Sequence, residues 1–270
     1  MKTNLEASKP KKTILSNLTT KTKIVKSKSI NLKKTVLLAP KFSEATFKYF
    51  DLAKKNKSKK EWFEKNKSMY EDHVKCPFGY LLELIGHELG ADLKKITIDP
   101  KKITRPLRPS NKALDLGWVK DHAHATLWES KTSIFEWNPA VHIQFGTKVD
   151  DNLMGVGLYM VSSRQIYKFR EAAFKDYELL DQITNNKKFK SRWGDSFGEK
   201  YKRFPKGYDQ DHPSAKYIIY KQFFVDRAFS RKDVISPKFI PQLVEDLRLT
   251  MPFFKWVRQT VGTYTKKHQD

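Results

Sequence analysis

The chain has 270 residues, of which 39% are hydrophobic and 13% aromatic, and it carries a formal net charge of +23 at pH 7. Its single cysteine, Cys76, excludes an internal disulfide framework and fits a reducing compartment. No run reaches the ~18 apolar residues of a membrane helix, and the N-terminus lacks an apolar signal core. The expectation is therefore a cytoplasmic protein, nuclear in a eukaryotic setting, with no integral membrane association.

Such a positive charge favours anionic partners, a nucleotide or a nucleic acid among them. Only ten of the 53 basic residues are arginine, and the first is Arg105. Lysine thus supplies the general surface charge, and each arginine, with its planar fork, is the more informative cation.

Residues 1–40 hold ten lysines and one acid, with no aromatic residue. That composition cannot bury enough apolar surface to offset chain entropy and predicts a disordered basic tail. Residues 41–264 are expected to form one α+β domain, and 265–270 a polar tail.

Ser43 predicts the cap of a first helix with Phe47 and Phe50 on its buried face, ended at Lys54–Lys57. Ser58 and Glu61 fit a capping box for a second helix carrying Trp62, Phe63, Met69 and Tyr70. Pro77 suits the first turn of a third, with Leu81, Leu82, Ile85 and Leu89 inward and Gly90 as the residue after its end. Ile96–Ile98 reads as a short strand. Arg105 to Lys112, broken by Pro106 and Pro109, reads as an extended segment from which Arg105 and Arg108 face one anion.

Strands are predicted at Ala123–Trp128, Thr132–Trp137, Ala140–Phe145 and Leu153–Val161, an antiparallel meander. His122, His124 and His142 fall close together in it. Strand histidines are usually satisfied by protein hydrogen bonds, so no metal site is expected. Gly155 and Gly157 lack the rest of a dinucleotide or phosphate-loop motif, so they read as strand glycines and no cofactor is expected. Ser162 and Gln165 form another capping box, opening a helix with Ile166, Phe169, Ala173, Phe174 and Leu180 inward and Arg170 at its edge. Lys187–Gly194 reads as a polar connector, Tyr217–Val225 as a strand, and Ser236–Pro237 as the start of a last helix broken or kinked at Pro252. A central antiparallel sheet flanked by N-terminal, middle and C-terminal helices is the predicted fold.

The run Tyr201 to Pro213 has no period of 2 or 3.6 and packs cations, rings, carboxylates and His212 between Pro205, Gly207 and Pro213. It reads as a shaped loop. Lys202, Arg203, Lys206 and Tyr208, with Arg105, Arg108, Arg170 and Lys221, are its candidate ligand-binding residues, meeting at one basic cleft. His212, tuned by Asp211 or Asp209, is the candidate general base should the cleft be catalytic. A loop held only by its own hydrogen bonds, with no ligand, is the third reading.

Glu61-Trp62-Phe63, the Gly155–Met160 run with Arg170 downstream, and Lys202–Tyr208 with Asp211-His212-Pro213 and Lys221 together resemble the domain of unknown function 2461 family, conserved hypothetical proteins of bacteria and fungi. The likeness runs from about Phe42 to about Val257. It implies the family's fold and a site at the Lys202–His212 loop. Arg105, Arg108 and Ser110 fit the family's Arg-Asp-x-Arg-Phe-Ser run, while Pro106 and Pro109 replace its Asp and Phe. Deleting residues 1–38 is expected to move the melting temperature little, because the segment offers no core residue. Differential scanning calorimetry checks this, and a fall of about ten degrees or more, well beyond what ~1 kcal/mol gives at this size, contradicts it.

Overall fold

The structure, a computed structural model, describes residues 39–101, 103–129, 138–195 and 197–262. The basic tail up to residue 38, the strand expected at Thr132–Trp137 and the tail 265–270 lie outside the described residues.

Four strands form one antiparallel sheet in chain order: β1 (His122–Leu127), β2 (Ala140–Gly146), β3 (Leu153–Leu158) and β4 (Phe223–Ala228). Alternation sends Ala123, Ala125, Val141, Ile143, Met154 and Val156 into the core. His122, His124, His142 and Gln144 stand on the other face, which is only partly covered. Helices precede the sheet, fill the β3–β4 connection and follow β4, so the α+β expectation holds.

α1 (Glu44–Lys55) buries Phe47, Phe50 and Ala53 on one stripe and ends where the Asn56 side-chain amide donates to the Leu52 carbonyl at 2.9 Å. The expected second helix is in fact α2 (Lys60–Lys65) and α3 (Lys67–Tyr70), separated at Asn66, whose amide donates to the Trp62 carbonyl at 2.8 Å. α2 begins after Lys59, and Ser58 makes no capping bond. A π-helical turn, Glu71–Lys75, runs straight into α4 (Cys76–Leu89), with Pro77 in its first turn and Leu81, Leu82, Ile85 and Leu89 fully buried. Gly90 follows α4 with φ −56°, so the end needs no left-handed residue. Ile96–Ile98 contributes one bridge, Ile96 to Glu129, rather than a strand. α5 (Ser110–Leu116) follows Pro109.

Beyond β3, the Ser162–Gln165 box opens α6 (Ser163–Lys175), with Ser162 Oγ accepting from the Gln165 amide at 3.2 Å. Phe169 and Ala173 are buried, but Phe174 is 38% exposed, and Leu180 belongs to the separate α7 (Tyr177–Thr184). The stretch expected to be a connector is α8 (Lys187–Trp193), capped by Asn186 and burying Phe189 and Trp193. Tyr217 and Ile218 lie in a one-turn helix, α9 (Ala215–Ile218), and strand geometry starts only at Phe223. α10 (Arg231–Val234) is capped by Ser230, and α11 starts at Phe239 rather than at Ser236.

α11 (Phe239–Val261) is the longest element and packs against β3, α4, α6, α7, α8 and α10. It continues through Pro252, which it exposes to solvent where a missing N–H is least costly. At its centre lies Asp246, 1% exposed. Arg192 Nε of α8 reaches it at 3.1 Å, Gln242 Nε2 donates at 3.0 Å, and Arg227 of β4 donates to its other oxygen. Trp193 Nε1 donates to the Asp246 carbonyl at 3.1 Å. Asp246→Ala is expected to cost about 3 kcal/mol, the low end for breaking a buried ion pair because both guanidiniums keep some solvent contact. Urea denaturation reads this directly, and a loss below about 1 kcal/mol would mean that the carboxylate is a bystander.

Candidate functional site

The loop from Tyr201 to Pro213 is pinned at its base. Tyr201 N donates to the Ile219 carbonyl at 2.9 Å and Lys221 N to the Glu199 carbonyl at 2.7 Å, around the bridge between Lys200 and Tyr220. Gly207 turns the chain at φ 88°, a conformation other residues rarely adopt. Asp209 Oδ1 accepts from the Asp211 amide at 2.9 Å, closing an Asx turn.

Two side chains dock the loop on α6. Tyr208 donates to Glu171 Oε1 at 3.1 Å, and burial with that carboxylate pushes the phenol up to about 12. The His212 ring stacks on Phe174 with centroids 4.2 Å apart. Its Nδ1 lies 2.7 Å from Ser214 Oγ and accepts from the Ser214 amide at 3.2 Å, which leaves the Nε2 edge for any other contact.

Arg170 reaches the loop base from α6. Its Nε donates to the Ile218 carbonyl at 3.1 Å and its guanidinium lies 5.1 Å from the Tyr201 ring centre, with Lys221 Nζ at 5.8 Å from the same ring. Arg170 Nη2 is shielded from water and has no hydrogen-bond partner. Lys221 also pairs with Glu199 at 3.0 Å.

Beneath the loop is a cavity of about 650 Å³ with Phe204 and Gln210 on its loop side, Tyr217 and Tyr220 opposite, and Lys190, Lys200 and Lys216 among its cations. Lys216 pairs with Asp181 at 2.6 Å and Lys190 with Asp195 at 3.8 Å, whereas the Lys200 ammonium lies 5.2 Å from the Tyr220 ring and has no ion pair among the described residues. Asp181 and burial together push the Tyr217 phenol up, burial contributing more.

Arg105 and Arg108 are elsewhere. Arg108 Nη1 donates to the carbonyls of Gly117 and Val119 at 3.2 and 2.8 Å, and the neighbouring Thr104 amide bonds the His124 carbonyl of β1. Burial, then the charges of Arg108, Lys112 and Arg105, lowers the Lys120 pKa, so these four cations share one neighbourhood. β1 and β4 are the two edges of the sheet. Among the described residues no hydrogen bond, ion pair or ring contact joins Arg105 or Arg108 to Arg170 or the loop. The structure thus brings Arg170, Tyr208, Lys221 and His212 to one side and Arg105 with Arg108 to the other.

The lysines of the cavity gave no signal in a lysine-rich sequence. Nor did a second cavity on the open face of the sheet, where Asn138, His142 and Asp226 meet. The three histidines of that face stand close, His124 and His142 with ring centroids 5.3 Å apart. His142 Nδ1 is 2.8 Å from Thr126 Oγ1 and His122 Nδ1 is 3.2 Å from Asp121 Oδ1. Among the described residues no cluster of His, Cys, Asp and Glu is suited to hold a metal ion.

Burial, reinforced by the neighbouring His142 and His122, lowers His124 to about 4. The unfolded chain therefore binds a proton near pH 6.5 that the folded chain refuses until about pH 4. Stability from this group is complete above pH 6.5 and falls as the pH drops towards 4. His124→Gln is expected to flatten the urea midpoint against pH within that window, and an unchanged slope would show that other groups carry it.

Comparison with curated proteins and with solved structures found no match. The family model described as conserved hypothetical protein (DUF2461) matches residues 45–256, from α1 to the last turns of α11, and so takes in both edges of the sheet and the loop. The chain belongs to that family.

Proposed function

We propose that the protein binds a phosphate-bearing ligand in the cavity under the Tyr201–Pro213 loop. Lys200 supplies charge from the cavity lining, the exposed Lys202, Arg203 and Lys206 supply it from the loop, Arg170 and Lys221 hold the loop base, and Tyr208 anchors the loop on α6. The reading rests on how the ten arginines divide. Arg192, Arg227, Arg231, Arg248 and Arg258 each pair with a carboxylate. Arg170 and Arg203 do not, and Lys202 and Lys206 are equally without an ion pair among the described residues. Asp209, within the loop, accepts a backbone amide instead. Like charges gathered without a partner repel, and an anionic ligand relieves that cost.

A general-base role for His212 finds less support. Its Nδ1 is committed to Ser214, and among the described residues no hydrogen bond or ion pair joins it to Asp211, whose amide donates to Asp209. Arg105 and Arg108, at the far edge of the sheet, suit a second contact with an extended polyanion rather than this cavity.

Calorimetric titration with inorganic pyrophosphate, ADP and oligodeoxythymidylate tests the reading. Arg203→Ala is expected to weaken ADP by about 1.5–3 kcal/mol, the range for a hydrogen bond between charged groups. A steep salt dependence for the oligonucleotide, lessened by Arg105→Ala, identifies a nucleic-acid surface instead. If Arg203→Ala leaves all three anions unaffected and lowers stability, the loop is a structural lock.

A further inference from the structure

The face of the sheet turned away from the core encloses a cavity of about 530 Å³, within the range of small-molecule sites. Tyr159 and Phe224 form one wall, ring edge to ring face with centroids 5.1 Å apart. Asn138 and Asp226 supply polar groups, and the backbone of Gly155 forms part of the floor.

Gly155 and Gly157 differ in why they are glycine. Gly157 has φ 128°, and a methyl group there would lie 2.3 Å from the Phe223 carbonyl oxygen, so the backbone itself demands glycine. Gly155 has an ordinary strand φ, and a methyl group there would meet nothing nearer than the Val225 carbonyl at 3.8 Å. A strand position of that kind favours a β-branched side chain. Its bareness leaves a flat patch of peptide open to the cavity.

The Asn138 side-chain amide lines the cavity, and among the described residues neither its Oδ1 nor its Nδ2 has a hydrogen-bond partner. Buried polar groups in folded proteins are normally paired, so one donor beside one acceptor, both unmet, is a specific vacancy of function. Among the described residues the lining contains no lysine or arginine, although the chain carries +23. Burial lowers His142, which keeps it neutral, and raises Asp226, although Asp226 has an open side to solvent. Tyr159 and Met160 are 64% and 55% exposed at the mouth. Among the described residues no lining cation would pair with an anion, which separates this cavity from the one under the loop.

We propose that the sheet-face cavity binds a flat, uncharged heteroaromatic ring with adjacent hydrogen-bond donor and acceptor atoms, laid on the Gly155 backbone and read at its edge by the Asn138 amide. Tyr159 and Phe224 bound the ring on one side. Specificity comes from the edge: a ring of the same shape that lacks the acceptor leaves one half of the Asn138 amide unpaired.

The test uses 7-azaindole, a fused ring with donor and acceptor side by side, and indole, the same shape without the ring acceptor, titrated into the full chain by calorimetry. The full chain is expected to bind 7-azaindole about tenfold more tightly than indole, about 1.4 kcal/mol. Asn138→Leu is expected to remove that preference, and Gly155→Val to abolish binding by filling the floor, with melting temperatures unchanged. Should Gly155→Val fail to fold, Tyr159→Ala, at an exposed position, is expected to weaken both probes several-fold. The proposal is overturned if 7-azaindole does not bind the full chain at millimolar concentration. It is equally overturned if Gly155→Val, folded, binds as the parent does, or if 7-azaindole and indole bind equally.

Discussion

A single buried carboxylate organises the C-terminal half of the molecule. Asp246 lies at the middle of α11 and receives hydrogen bonds from Arg227 of β4 and Gln242 of its own helix and an ion pair from Arg192 of α8. An ionised group in the interior is tolerated only when its lone pairs are met, and here three separate donors meet them. The same residue's carbonyl takes the Trp193 indole N–H, so α8 is held by both its charge and its ring. With α11 fixed to β4 and α8, the connection between β3 and β4 has a rigid floor, and the loop at 201–213 stands on it.

A second fork does the equivalent work at the other end. Arg231 of α10 donates to both oxygens of Asp51 at 2.9 and 2.7 Å, to the Thr147 carbonyl at 2.9 Å, and lies 4.9 Å from the Phe47 ring centre. Hydrogen bonding to Arg231 holds the Asp51 carboxyl below its usual range. The planar guanidinium matches a carboxylate in a way that lysine does not. In a chain where lysine is the default cation, arginine is kept for two uses. Half of them tie elements together through carboxylates, and the other half have no carboxylate partner among the described residues.

What the sequence disclosed followed the reach of its signals. Ser162 and Gln165 announced α6 because a capping box is complete within four residues. Three of the sheet's strands were legible from alternation, since one face of each is buried. α8 escaped because its two buried residues, Phe189 and Trp193, stand among lysines and give too short a period to recognise. The start of Tyr217–Val225 looked like a strand because a short apolar run has no period of its own, whereas the Ser214 carbonyl accepts from the Tyr217 and Ile218 amides and closes a helical turn. The loop at 201–213 was visible through its unusual composition. The lysines under it were not, and neither were Asn138 and Gly155. Their meaning lies in what is missing around them, and a sequence records only what is present.

The sheet closes across a long excursion of chain. Val156 of β3 pairs with Val225 of β4 only after α6, α7, α8 and α9 have intervened, and the fork from Arg231 to Asp51 spans 180 residues. Loop closure costs more entropy as the separation grows, and contacts between distant residues form slowly. β1, β2 and β3 are each linked to the next in the chain and can associate first. β4, whose pairing closes the longest loop of the sheet, is expected to join last, together with the fork that binds the two ends. Until it does, the inner edge of β3 is an open ladder of N–H and C=O groups, which is the surface on which a partly folded copy of this chain is most exposed to pairing with another.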